Sequence, residues 1–431
     1  MLEDLPDVPP AVFLLVRELV SGDELIRKTW ADKRQRIKSM LSELRDQSEV
    51  YWGENLSQKI AAPKPLEFDI HLHGGLDLFG TSGCSDFSCR MVAADRVSSS
   101  MGLIADHIWI TDHFTERFIN FGRATNAKLD MVIEDTIILM RIFPLISAGI
   151  LRFRSPIQAT CVSCSDYFDT QVHAIAKQLA PEFQKQIKIT PKPDGGFFAE
   201  TGTCFSPPLW LHWPSSNKAH DCSPISMIEG VIRTQIRTAL FIARQTAESG
   251  GAIFSNSRIG LAGLLQQEGR FNGRKQLMML DKQRTLNVPW VSELNPSQIL
   301  QLRQEASSAL PIFRERMARA LSVTIELGEG ITNVDSLMQE LREQAAQVRA
   351  ELAIKQKHSA KFWKTTYGLL GFALSAYGVA TDQVLPGAAG LLPLIKLLID
   401  HNSGDEQEIA NLTSRPSYVL VKAQDILQHA H

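Results

Sequence analysis

"EFDIHLHGG", residues 67–75, decides how the middle of the chain folds. Read as a strand, it sets Asp69, His71 and His73 on one face and Phe68, Ile70 and Leu72 on the other, because successive side chains alternate. Gly74-Gly75 then ends the strand in a turn. Downstream, "CRMVAADRVSSSMG" (89–102) fits a helix, and "LIADHIWIT" (103–111) reads as a second strand rich in β-favouring side chains. "AKLDMVIEDTIILMRIFPLISAGILRF" (127–153) holds a periodic helix, a stop at Gly149 and a short strand. Strand, helix, strand, helix, strand in succession implies right-handed crossovers and a partly parallel sheet.

Mixed character persists to about residue 285. "FDTQVHAIAKQLAPEFQKQ" (168–186) is helical, and "QIKITPKPDGGFFAETGT" (186–203) is a hairpin, with Asp194-Gly195-Gly196 between two alternating runs. After the proline-framed loop "PPLWLHWP" (207–214), a helix with Ile228, Ile232 and Ile236 on its apolar face runs from about 224 to 248.

Both ends of the chain read as helical. Residues 10–53 carry helical periodicity interrupted at Ser21-Gly22-Asp23, and "AAPKP" (61–65) acts as a hinge that stops helix propagation. Beyond 286, "ELNPSQILQLRQEASSALPIFRERMARALSV" (293–323) predicts a long charged helix capped by Asn295 or Ser297, bent if Pro311 lies inside it. In "SLMQELREQAAQVRAELAIKQ" (336–356), Met338, Leu341, Ala345, Val348 and Leu352 form a short seam suited to packing in a helical bundle. The expected architecture is therefore α/β, with a mixed, partly parallel sheet at 61–285. A helical arm at 1–60 precedes it, and an all-α domain at 286–431 follows.

Composition narrows the functional classes. The 45 basic and 47 acidic side chains nearly cancel, which leaves no broad basic footprint for nucleic acid. "MLEDLPDVPP" has acids where a secretory leader carries lysines, so a cytoplasmic protein is expected. Six cysteines in 431 residues are too few for a disulfide framework.

Candidate chemistry starts with His71 and His73, which share a strand face and so have the spacing to reach one divalent ion, with Asp69 beside them. This D-x-H-x-H strand resembles the first-strand motif of the metal-dependent amidohydrolases. The resemblance implies His71 and His73 as metal ligands, a distant histidine and aspartate completing the site, and a barrel of eight β/α units. It covers one strand, and the helical last third of the chain departs from such a barrel. The plain alternative is polar residues on a half-exposed strand.

In "ADHIWITDHFTE" (105–116), Asp112 and His113 fall at the carboxyl end of the second strand, where parallel sheets gather reactive groups; with Asp106 they form the candidate catalytic set. A capping role explains Asp112 as well. Cys161 and Cys164 make a C-x-x-C that suits zinc or redox chemistry, with Cys84 and Cys89 or Cys204 and Cys222 as possible second pairs. "GRFNGRK" (269–275) is basic and glycine-rich but matches no nucleotide fingerprint.

An uncharged run at 365–381, followed by an apolar segment interrupted by Pro386 and Pro393, forms a C-terminal hairpin over 365–400 that barely reaches the roughly 17 residues a bilayer span requires. A buried hairpin and a membrane-associated one both fit it. Three functions follow: an interaction or regulatory protein that self-associates or binds a protein partner through its helices; a metal-dependent hydrolase or nuclease using a divalent ion such as zinc; and a membrane-acting effector in the manner of a toxin or cellular defence.

Overall fold

Residues Asp69–His73 form strand β1, and all five are buried. In the computed structural model the described residues are 5, 7–20, 29–55, 60, 67–80, 83–156, 160–193, 196–202, 210–213, 224–249, 251–266, 277–279, 288, 290–321, 332–355 and 405–429. The chain divides into two compact units. One comprises Met1–Leu286 and Leu321–Gly330, and the other Asn287–Ala320 and Ile331–His431.

The first unit is mixed α/β. Helices α1 (Pro10–Val20) and α2 (Trp30–Asn55) precede β1. Helix α3 (Phe87–Arg96) follows it and runs through a π-helical turn at Val97–Met101 and a last turn at Gly102–Ile104. Then come β2 (His107–Thr111), α4 (His113–Ile119), α5 (Asn126–Ser147) and β3 (Leu151–Arg154). The second strand is shorter than its sequence pattern: Leu103 and Ile104 close the helix and are buried there, so their apolar character serves helix packing. Gly149, at φ +70°, makes the left-handed turn between α5 and β3 that a side chain would resist.

After β3 the chain forms α6 (Val162–Gln184), strands β4 (Lys188–Pro191), β5 (Phe197–Glu200) and β6 (Trp210–Trp213), helix α7 (Pro224–Ser249), β7 (Ala252–Ser255), α8 (Arg258–Gln266) and β8 (Leu277–Met279). Strands β4 and β5 pair antiparallel as the expected hairpin, and β6 completes a small antiparallel sheet. The main sheet has the order β3-β2-β1-β7-β8, with every pairing parallel. It is an open five-stranded sheet, not the eight-fold barrel that the D-x-H-x-H resemblance implies.

The two faces of this sheet differ sharply. Ile70, Leu72, Ile108, Ile110, Leu151, Phe153, Ala252 and Phe254 make one face wholly apolar and buried. Phe153 meets Phe114 of α4, and Phe114 meets Phe79, in edge-to-face ring contacts. The other face carries Asp69, His71, His73, Trp109, Thr111, Arg154 and Ser255, all buried, together with buried Ile253 and partly exposed Arg152. Helix α7 packs on β1 and β7, and α8 packs on β7, over this polar face. The expected half-exposed strand is thus corrected: both imidazoles have zero exposure, and satisfying their polar atoms falls to neighbouring side chains.

Among the N-terminal helices, α2 packs on α4 and α5, and α1 on α2 and α5, within the first unit. Asp135 of α5, fully buried, holds both Arg90 of α3 and Arg117 of α4 and so ties three helices through one carboxylate.

The second unit contains α9 (Pro296–Glu305), α10 (Leu310–Leu321), α11 (Thr332–Lys355), α12 (Asp405–Thr413) and α13 (Tyr418–His429). Asn295 caps α9 in a reciprocal capping box with Gln298. Pro311 stands in the first turn of α10, where its missing N–H costs nothing, so the expected single bent helix is two helices. The seam residues Met338, Leu341, Ala345, Val348 and Leu352 are all buried, and α11 packs against α12 and α13 of the same chain. The hairpin at 365–400 and the hinge at 61–65 lie outside the described residues, as does the loop at 269–275. Among the described residues no helix is long and apolar enough to cross a membrane.

Two helical glycines test how tightly α8 sits on the polar face. A Cβ at Gly260 would come within 2.2 Å of His73 Cε1, whereas a Cβ at Gly230 of α7 would meet nothing within 4 Å. Gly260→Ala is expected to cost about 1–3 kcal/mol through overpacking. Gly230→Ala should be neutral or stabilise by up to about 1 kcal/mol. Urea unfolding midpoints of the two variants give the comparison directly.

Candidate functional site

Among the described residues four strands are followed at the carboxyl edge of the main sheet by a helix: α3 after β1, α4 after β2, α6 after β3 and α8 after β7. The caps are Asp86, Asp112, Cys161 and Ser257. The first-turn amides and the positive ends of the helix dipoles therefore concentrate along one edge.

The loop after β1 is shaped by close approach. Gly74 has φ +73°, and a Cβ there would lie 2.5 Å from Asn256 Oδ1. The Gly75 amide donates to that same oxygen at 2.8 Å. Gly83 returns against Gly75, where a Cβ would come within 2.6 Å of the Gly75 Cα. Glycine is required at these positions because backbone meets backbone or a neighbouring carboxamide.

Asp77 anchors this loop from beneath. Its carboxylate accepts from the Thr111 amide at 2.8 Å and from the Thr111 hydroxyl at 2.5 Å. Arg154, fully buried, donates to the Trp109 and Leu72 carbonyls at 2.6 Å, to Thr111 Oγ1 at 2.9 Å and to Asp77 at 3.2 Å. One guanidinium from β3 thereby reaches β2, β1 and the loop that follows β1. Burial holds the Arg154 pKa below its ordinary value, with Asp77 acting against that fall.

His71 and His73 lie on the same face of β1, as their spacing requires, but deep in the sheet. His71 stacks on Trp109 with ring centroids 6.0 Å apart. His73 Nδ1 is 2.8 Å from Ser255 Oγ, while its Nε2 turns toward the Gln235 backbone without a hydrogen bond of good geometry. Desolvation drives both imidazoles toward the neutral form, His71 well below its usual pKa and His73 to about 4. The His73–Ser255 pair has the distance of a base and a nucleophile. Both residues have zero exposure, however, so the pair positions β1 against β7 and the hydroxyl offers nothing to a substrate.

Asp112 and His113 stand at the carboxyl edge. Asp112 caps α4, accepting from the Phe114 and Thr115 amides at 3.0 Å each. Desolvation pushes its carboxyl up to about 6 against the pull of those donors. His113, partly exposed, lies close to Gly80 and is lowered by burial. Asp106 is at the other end of β2, accepting from the Phe68 amide at 2.9 Å. A five-residue strand lies between it and Asp112, a distance of roughly 20 Å at 3.3 Å per residue step, so the two do not share a site. Asp69 is also toward that end, accepting from His107 at 2.7 Å and from the Trp109 indole at 2.9 Å.

Cys161 and Cys164 are exposed at the N-terminus of α6, and Cys84 and Cys89 flank the N-cap of α3; all four are free thiols. Cys204 and Cys222 lie outside the described residues. Among the described residues no three of histidine, cysteine, aspartate and glutamate gather in a group that could hold a metal ion.

The accessible edge is thus lined by Gly75, Gly80, Gly83, His113, Asn256 and Arg258, all partly exposed. Asn256 and Ser257 carry no signal in the sequence: "SNSR" reads as an ordinary turn, and only strand order brings it beside Gly74.

Two stability measurements follow. Arg154→Met leaves Asp77 buried without its cation and is expected to cost about 3–5 kcal/mol, whereas Arg154→Met combined with Asp77→Leu should cost less than the sum of the single changes. Buried neutral His73 stabilises the fold fully above the usual imidazole range, and that contribution is lost as pH falls toward about 4. Asp112 has the reverse sign: its contribution is present below pH about 4 and is lost as pH rises through about 6. Asp112→Asn keeps a capping oxygen, so it should hold or raise stability at pH 7 and make the acid-side decline steeper, as read from unfolding midpoints between pH 4 and 7. No protein-family model, curated protein or solved structure matches this chain.

Proposed function

We propose that the first unit binds a small phosphate-bearing ligand of the nucleotide class, in the crevice at the carboxyl ends of β1 and β7, and that the protein is regulatory, with this site as its sensor. The observation that carries the reading is the reversal of strand order at β1. The chain steps outward from β1 to β2 and β3, then returns to β7 and β8 on the other side. Loops at such a switch point diverge toward opposite faces and leave a crevice where ligands of open α/β sheets sit.

Local chemistry supports an anion there. Gly74 and Gly75 let backbone approach closely, and α8 opens with its Ser257 cap accepting from the Gly260 amide at 3.2 Å. The first-turn amides and Arg258, the first residue of α8, add positive potential. The hydrolase reading requires His71, His73, Asp112 and His113 to converge on one reacting atom. The burial of the two β1 histidines and the capping bonds of Asp112 favour the binding reading over it.

Thermal unfolding of the full chain with ATP, NAD and inorganic phosphate provides the test. A bound nucleotide at 100 times its Kd raises stability by about 2.7 kcal/mol. Arg258→Ala should weaken that binding about tenfold, read against the unfolding temperature of the same variant without ligand. Unfolding temperatures unmoved by every nucleotide at millimolar concentration, or equal binding by Arg258→Ala, would refute the assignment.

A further inference from the structure

The C-x-x-C of the first unit is placed where helix geometry alone brings two side chains together. Cys161 is the N-cap of α6, with extended backbone at φ −68° and ψ 158°. Val162, Ser163 and Cys164 are the first three helical residues, so Cys164 is at N3. In a capping box the N-cap side chain reaches the N3 amide and the N3 side chain reaches back to the N-cap amide, so the two positions are neighbours across the first turn. Here both positions hold thiols.

The surroundings favour sulfur as an anion. Cys161 stands at the positive end of a 23-residue helix, no acidic residue lies in the first turn, and Arg244 of α7 adds a cation near Cys164. Both thiols are exposed, and Val162 and Tyr167 beside them are 77% and 55% exposed. The other pair makes an internal control. Cys89 is also at N3 of its helix, but the N-cap there is Asp86, whose carboxylate takes the Ser88 and Cys89 amides and sets a negative charge beside the thiol.

We infer that Cys161 and Cys164 form a redox-active dithiol that exchanges with low-molecular-weight disulfides, Cys161 attacking and Cys164 resolving. The step balances. The Cys161 thiolate attacks one sulfur of the external disulfide, an S–S bond forms as the external one breaks, and a first thiolate leaves. The Cys164 thiolate then attacks Cys161, closes the internal disulfide and releases a second thiolate, so the protein loses two electrons and two protons and the external disulfide gains them. This site is separate from the proposed ligand crevice and does not depend on it.

Oxidised glutathione is the probe, applied to the full-length protein in the presence of a chelator, with each cysteine followed by peptide mass spectrometry. The peptide holding both residues should lose two hydrogens, and reduced dithiothreitol should restore them. In Cys164→Ser the resolving thiol is gone, and glutathione should accumulate on Cys161 about tenfold faster than on Cys89 of the same molecule. A pair that stays a dithiol throughout, or glutathione gathering on Cys89 as fast as on Cys161, would overturn the inference.

Discussion

Everything at the carboxyl edge of the sheet hangs on Arg154. A buried guanidinium is costly to desolvate, by several kcal/mol, and repays that cost only where its donors find acceptors. Arg154 finds four: two strand carbonyls, a threonine hydroxyl and Asp77. Because those acceptors belong to β2, β1 and the loop beyond β1, the three strands and the glycine loop share one partner. The alignment of these strands and the path of the loop after β1 are consequences of that sharing.

The polar sheet face extends the same logic inward. Asp69 with His107 and Trp109, His71 on Trp109, Arg152 over the Trp109 ring, and His73 with Ser255 are neighbours across adjacent strands. Cross-strand neighbours of this kind usually add a few tenths of a kcal/mol each. Their greater effect is on register. A one-residue slip of β1 would send three polar side chains into the apolar layer and two apolar ones into the polar layer.

How much of this could be read from the residues depended on range. The alternation in "FDIHLH", the Gly149 stop, the 186–203 hairpin and the Asn295 cap are local, and the structure carries each of them. Local pattern failed where tertiary burial set the outcome. Leu103 and Ile104 have strand-like composition yet finish a helix, and Pro311 opens a helix where a bend was expected. The candidate site was legible in part. Asp112 and His113 do stand at a strand's carboxyl end, but Asp106 shares only their stretch of sequence. The partners that complete the edge, Asp77, Arg154 and Asn256, lie up to 181 positions away and bear no mark of spacing. Whether a histidine faces solvent or a covering helix is likewise decided by α7 and α8, far along the chain.

The apolar stripe on α11 carries a practical lesson for anyone shortening this polypeptide. Its cover is α13, with Arg349 reaching the Val421 carbonyl at 3.2 Å and pairing with Asp425, and α13 sits at the very tail. A fragment ending soon after Lys355 would carry a naked greasy ridge that pellets or clumps for want of its lid. Sedimentation of such a fragment would speak of lost intramolecular cladding, whatever affinity the intact protein has for lipid.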